Sequence, residues 1–151
     1  MATGVVSPGS ARVDTAALDL GLLVLRLGLA ALMLALHGWA RLGRAFSYSV
    51  LGAEWPFISL VAGLGFPMPG MFAVASALSE SIGAILVGIG LFTRPAAVFL
   101  AIDMMVALYN EVSGADQIEL PALYLVAAVT ILITGPGRYG LDTLLNHRRE
   151  R

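Results

Sequence analysis

Three ionisable residues stand alone inside long apolar runs: Arg26, Glu80 and Asp103. A charge at that depth in a bilayer costs roughly 2.5–3.5 kcal/mol on insertion scales. It persists where it faces a bundle interior, finds a partner or lines a pathway. A guanidinium is a planar fork of donors that matches carboxylates, so Arg26 could hold both Glu80 and Asp103. One cation and two carboxylates leave one excess negative charge, and one carboxyl is expected to carry a proton. A protonatable carboxyl beside a guanidinium suits a quinone headgroup or a proton relay. A static salt bridge that sets helix register is the other reading. Asp103 could alternatively face an oligomer partner. His37 lies eleven residues beyond Arg26 and shares its helical face. With Asn110, at the far end of the Asp103 run, the candidates for quinone binding or proton relay are Arg26, Glu80, Asp103, His37 and Asn110.

The elements that must position these groups are four apolar runs. The patterning predicts spans over Leu18–Trp39, Met71–Phe92, Pro95–Tyr109 and Leu120–Thr134. The first two are long enough, at ~1.5 Å per residue, to cross a hydrocarbon core of ~30 Å. Counted from the run ends, Arg26 and Asp103 should lie about 12 Å deep and Glu80 about 18 Å deep. Ala75, Ser79 and Gly83 form a small-residue stripe that should hold a neighbouring helix close. Residues 41–70 form the one long connection, with Tyr48, Trp55, Phe57 and Phe66 as interfacial anchors or as a lid over a pocket. The expected fold class is all-α, an integral membrane four-helix bundle with one long outer connection. Its domains are a mobile arm (1–15), the transmembrane domain (16–146) and a basic tail (147–151) that attracts anionic lipid.

Composition agrees. The 151 residues are 58% hydrophobic and 13% charged, with a mean hydropathy of +0.86. A soluble domain carries about 25% charged residues. The net charge of −1 makes no electrostatic case for nucleic acid. Without cysteine there is no thiol relay, Fe–S ligation or covalent haem, and without lysine no Schiff base. The two histidines, His37 and His147, lie too far out for an intramembrane haem, and no metal site is expected. Any redox cofactor held by this chain alone would be bound non-covalently, as a quinone could be. Four spans put both termini on one side. Six arginines fall there (12, 94, 138, 148, 149 and 151) against Arg41 and Arg44 on the other, which argues for cytoplasmic termini.

Several motifs in order carry a resemblance: Leu25-Arg26-Leu27, His37-Gly38-Trp39-Ala40-Arg41-Leu42, Gly65-Phe66-Pro67 and Glu80. Then come Gly88-Ile89-Gly90-Leu91-Phe92-Thr93-Arg94-Pro95-Ala96 and Gly135-Pro136-Gly137-Arg138-Tyr139-Gly140-Leu141-Asp142. From about Leu20 to Leu145 the chain resembles the DoxX family of small bacterial membrane proteins. Arg26, Glu80 and Arg94 match family motif positions, while Arg41 stands where the family often has lysine. Arg41, Arg94, Arg138 and Asp142 are read as structural or interface residues. The resemblance implies a four-helix fold in the bacterial inner membrane and a link to redox biology. Relatives include the membrane subunit of thiosulfate:quinone oxidoreductase. Nothing in the residues identifies a sulfur-substrate site.

The leading expectation is a membrane subunit of an oxidoreductase complex. It would sit in the lipid bilayer, anchor a redox protein partner and offer quinone the Arg26–Glu80 site, with a homo-oligomer as a further possibility. A proton-coupled small-molecule or lipid carrier is the second reading, and a non-catalytic anchor or assembly factor the third.

Overall fold

The computed structural model describes residues 15–112, 114 and 117–149. The expected arm before Thr15 and the last two residues of the basic tail lie outside the described residues. Helix α1 runs Thr15–Leu51, α2 Phe57–Gly63, α3 Pro69–Ile89, α4 Thr93–Val112, α5 Glu119–Thr134 and α6 Leu141–Arg149. Among the described residues every regular element is helical. Three helices (α1, α3 and α4) are long and apolar enough to cross a membrane, and α5 is a shorter apolar helix. Large apolar side chains face outward along them, among them Val24, Leu32, Trp39, Phe99, Val126 and Ile133. Such a belt would aggregate in water and is at home in lipid. The chain is a helical membrane protein.

Small residues let the helices close on one another. Gly88 of α3 packs on Ala30 of α1, and Ala73, Ala77, Ala84, Ala97 and Ala128 are buried at helix contacts. Two apolar cores result. The larger joins Leu29, Met33, Val87, Leu100, Met104, Tyr124 and Ile131. The smaller joins Ala45, Trp55, Val61, Ala73 and Ala77 toward the other end. The end holding Thr15, the Gly90–Thr93 turn and α6 is termed proximal, and the end holding Gly52–Met68 distal.

Two features differ from the expected elements. Helix α1 does not stop at Trp39 but continues to Leu51, where Gly52 takes the left-handed conformation (φ 66°) that ends the helix. At ~1.5 Å per residue its 37 residues span about 55 Å, well beyond a ~30 Å hydrocarbon core. The expected long loop is therefore mostly helix: the distal third of α1, a short turn and then α2. Second, α1 and α3 each contain one wider π-helical turn, Leu34–Gly38 and Ser79–Gly83. The two turns face each other, and a β-carbon on Gly38 would stand 2.6 Å from the Glu80 carbonyl oxygen. Wide turns of this kind re-aim side chains and recur at functional sites.

Candidate functional site

The register of α1 against α3 decides which charges meet. Gly38 lies level with Glu80, so Arg41 is one turn further toward the distal end and turns back onto it. Arg41 Nη1 donates to Glu80 Oε1 at 2.6 Å, with the Glu80 side chain 3% exposed and that of Arg41 29% exposed. The same Nη1 lies 3.5 Å from Ser76 Oγ, and Ser76 is in turn a hydrogen-bond partner of Asp103. A guanidinium, a hydroxyl and two carboxyls from three helices thus form one polar centre. It sits between the two apolar cores.

This centre floors a cleft of about 380 Å³ between α2, α3 and α4. Its walls are apolar, with Phe57, Leu60, Phe66, Phe72 and Phe99 among them. Its polar lining is Arg41, Ser76, Ser79, Asp103, Asn110 and Glu111. The Arg41 guanidinium lies over the Phe57 ring, 4.6 Å from its centroid, so the short α2 helix covers the charged group. Ala75 and Ser79 of the small-residue stripe also face this cleft, so the stripe opens a space where close helix contact was expected. Asp103 Oδ2 and Ser79 Oγ are buried without a hydrogen-bond partner.

On the other side of Glu80 is a second set of polar atoms. Glu80 Oε2, His37 Nδ1 and Tyr124 Oη are all buried and unpartnered. The His37 and Tyr124 rings meet edge to face, 6.1 Å between centroids. None of these three residues lines the cleft. Tyr124 was not among the sequence candidates. It lies in the one apolar run without a charge, and only helix packing turns it toward Glu80.

Arg26 does not join Glu80 and Asp103. It is fully buried at the proximal end, where its guanidinium fills space left by Gly90 and lies beside Gly140. Its Nε and Nη1 have no hydrogen-bond partner. Arg26 lies further from Glu80 than its place in the apolar run implies, because the edge of that run is not the edge of the bundle. The first residues of α1 extend past the Gly90 turn and pack on the closing segment, where Leu22 meets Gly137 and Asp19 accepts from the Arg138 backbone N–H at 3.0 Å.

Asp142 acts in this proximal centre. Its carboxylate accepts from the backbone N–H of Phe92 (2.8 Å) and Thr93 (2.9 Å) and from the Thr93 hydroxyl (2.9 Å). Its own N–H donates to the Gly90 carbonyl at 2.8 Å. A residue fifty positions away thus caps the first turn of α4, where unsatisfied N–H groups favour an anion. The contact also steadies Phe92, whose φ of 46° is unusual for a non-glycine residue. Burial works to raise the Asp142 carboxyl, but the Thr93 and Phe92 hydrogen bonds and the Arg26 charge hold it below its ordinary value. Arg94 lies near Gly135, and the Arg138 side chain is exposed.

A family model described as DoxX matches residues 21–110, which is 90 of the 151 residues. This is a DoxX-family protein. DoxX proteins are membrane proteins, often subunits associated with oxidoreductases. The match takes in Arg26, His37, Arg41, Glu80, Asp103 and Asn110, and stops before Tyr124 and Asp142. No curated protein and no solved structure matches the chain.

Proposed function

We propose that this DoxX protein is the membrane subunit of an oxidoreductase complex and that its cleft binds a quinone-type headgroup. One observation carries the reading. An apolar, aromatic-walled cleft ends on a buried cluster of one guanidinium, hydroxyls and carboxyls. That is the shape and chemistry of a site for an amphiphile whose headgroup exchanges protons. Arg41, Ser76 and Asp103 would orient the headgroup, and the apolar walls would take the ring and the start of its tail. Glu80 holds Arg41 in place from behind. Arg26, expected in this role, belongs to the proximal centre instead.

The four apolar helices would form a transmembrane bundle. Both termini and the proximal end would face the cytoplasm of a bacterial inner membrane, in line with the arginine bias. A soluble redox enzyme docking there would supply the electron-transfer chemistry.

The test is co-purification of the tagged protein from its native membrane in mild detergent, followed by quinone-dependent turnover of whatever complex is recovered. A stoichiometric dehydrogenase or cytochrome is expected. Arg41→Gln and Asp103→Asn should lower its quinone turnover at least about tenfold without releasing the partner. Recovery of the chain alone, or full turnover in both variants, would overturn the reading. In the first case, uptake by protein-only liposomes would point to the carrier.

A further inference from the structure

If the cleft is a quinoid site, and the narrower assignment rests on that reading, its charges and hydrogen-bonding atoms define which redox form it takes. Arg41 is the cation of the lining, and its Nη1 is already engaged by Glu80 and Ser76. Around the same cleft stand Asp103 and, further along α4, Glu111. Among the described residues Glu111 makes no ion pair. One positive charge against Glu80, Asp103 and Glu111 gives −2 with all three ionised and −1 with one proton bound. The site is negative in both states. An anion entering it would meet like charge where solvent screening is weak.

The unpartnered atoms point the same way. Two of the lining residues, Asp103 and Ser79, each carry a buried oxygen without a partner, Asp103 Oδ2 and Ser79 Oγ, and Glu80 Oε2 is a third outside the lining. Buried oxygens without partners are costly; the Ser79 hydroxyl can donate or accept, whereas an ionised carboxylate only accepts and lacks a donor. A quinone ring offers two carbonyl acceptors and no donor. The hydroquinone of the same ring offers two O–H donors on the same apolar frame. We propose that the cleft, with Asp103 ionised as the accepting group, binds the reduced, hydrogen-bond-donating hydroquinone in preference to the quinone, and that it excludes anionic amphiphiles.

The experiment is calorimetric titration of the purified full-length protein in nanodiscs. The probes are a decyl hydroquinone, the matching quinone, the hydroquinone dimethyl ether and decyl sulfate. The hydroquinone should bind at least about tenfold tighter than the quinone or the ether, the order expected of one hydrogen bond to a charged acceptor. Decyl sulfate should not compete. Asp103→Asn replaces an accepting oxygen with a donating amide, so the preference for hydroquinone over quinone should fall below about threefold. A melting temperature and circular dichroism spectrum near those of the wild type would show that the variant is folded. Equal binding of the ether or the quinone, competition by decyl sulfate, or an undiminished preference in Asp103→Asn would overturn the donor assignment and leave the quinoid site standing. Failure of every quinoid probe to bind would overturn the reading beneath it. The ether comparison needs no variant, so the donor question is decided even where Asp103→Asn does not fold.

Discussion

Neutralising Arg41, Arg26 and Glu80 singly and in pairs separates the two polar centres. The 2.6 Å contact between Arg41 Nη1 and Glu80 Oε1 puts the charge centres about 4 Å apart. At an effective dielectric of about 20 that is worth about 4 kcal/mol. The partial exposure of Arg41 reduces it, so a coupling of about 2–4 kcal/mol is expected for Arg41→Gln against Glu80→Gln. Arg26 lies twelve residues before Gly38, which is level with Glu80, a separation of about 18 Å along the helix. The same arithmetic gives under about 1 kcal/mol for Arg26→Gln against Glu80→Gln. Each free energy would be measured by steric trapping in bicelles, and each coupling taken from a double-mutant cycle. A coupling for the Arg26 pair equal to or larger than that for the Arg41 pair would refute the register of α1 against α3 and with it the assignment of both centres.

Asp142→Ala removes three hydrogen bonds to the start of α4 and should destabilise the protein by about 2–3 kcal/mol in the same assay. Because the folded carboxyl titrates below its ordinary value, its contribution is complete above the unfolded value of about 3.9 and is lost as pH falls through the folded one. Thermal melts in detergent should show an acid limb below about pH 4 that is shallower in Asp142→Asn. An unchanged limb would count against the cap. Gly90→Ala should cost about 2–4 kcal/mol, since φ is 75° there and the Arg26 guanidinium occupies the β-carbon position. Gly38→Ala should cost about 1–3 kcal/mol by forcing the two π-turns apart, and a melting temperature at the wild-type value would show that they do not touch.

The residue types announced the chemistry, and packing assigned it to partners. Lone charges in apolar runs signalled polar centres, and Glu80 and Asp103 do belong to one, with Asn110 on the same cleft. Arg41 follows the first apolar run, and by that position alone it reads as structural. The helix, however, does not end with that run, and a π-turn rotates its continuation toward Glu80. Tyr124 carried no signal, since one hydroxyl in a charge-free helix looks like a packed aromatic. The glycine-rich motifs were visible but not explained. Gly90 and Gly140 leave room for Arg26, and Asp142 closes the turn from fifty residues away.

Composition and hydrophobic run length alone dictated a helical membrane protein, because backbone polar groups in lipid must be satisfied within each segment. They also marked its few charges inside apolar runs as candidates for polar centres, because isolated charges in lipid are costly to keep. Which guanidinium met which carboxyl depended on helix register and rotation. Those were settled by small-residue contacts such as Gly88 on Ala30 and Gly38 on Glu80, where any larger side chain would clash. Two polar centres with separate arginines therefore exist only in the folded chain.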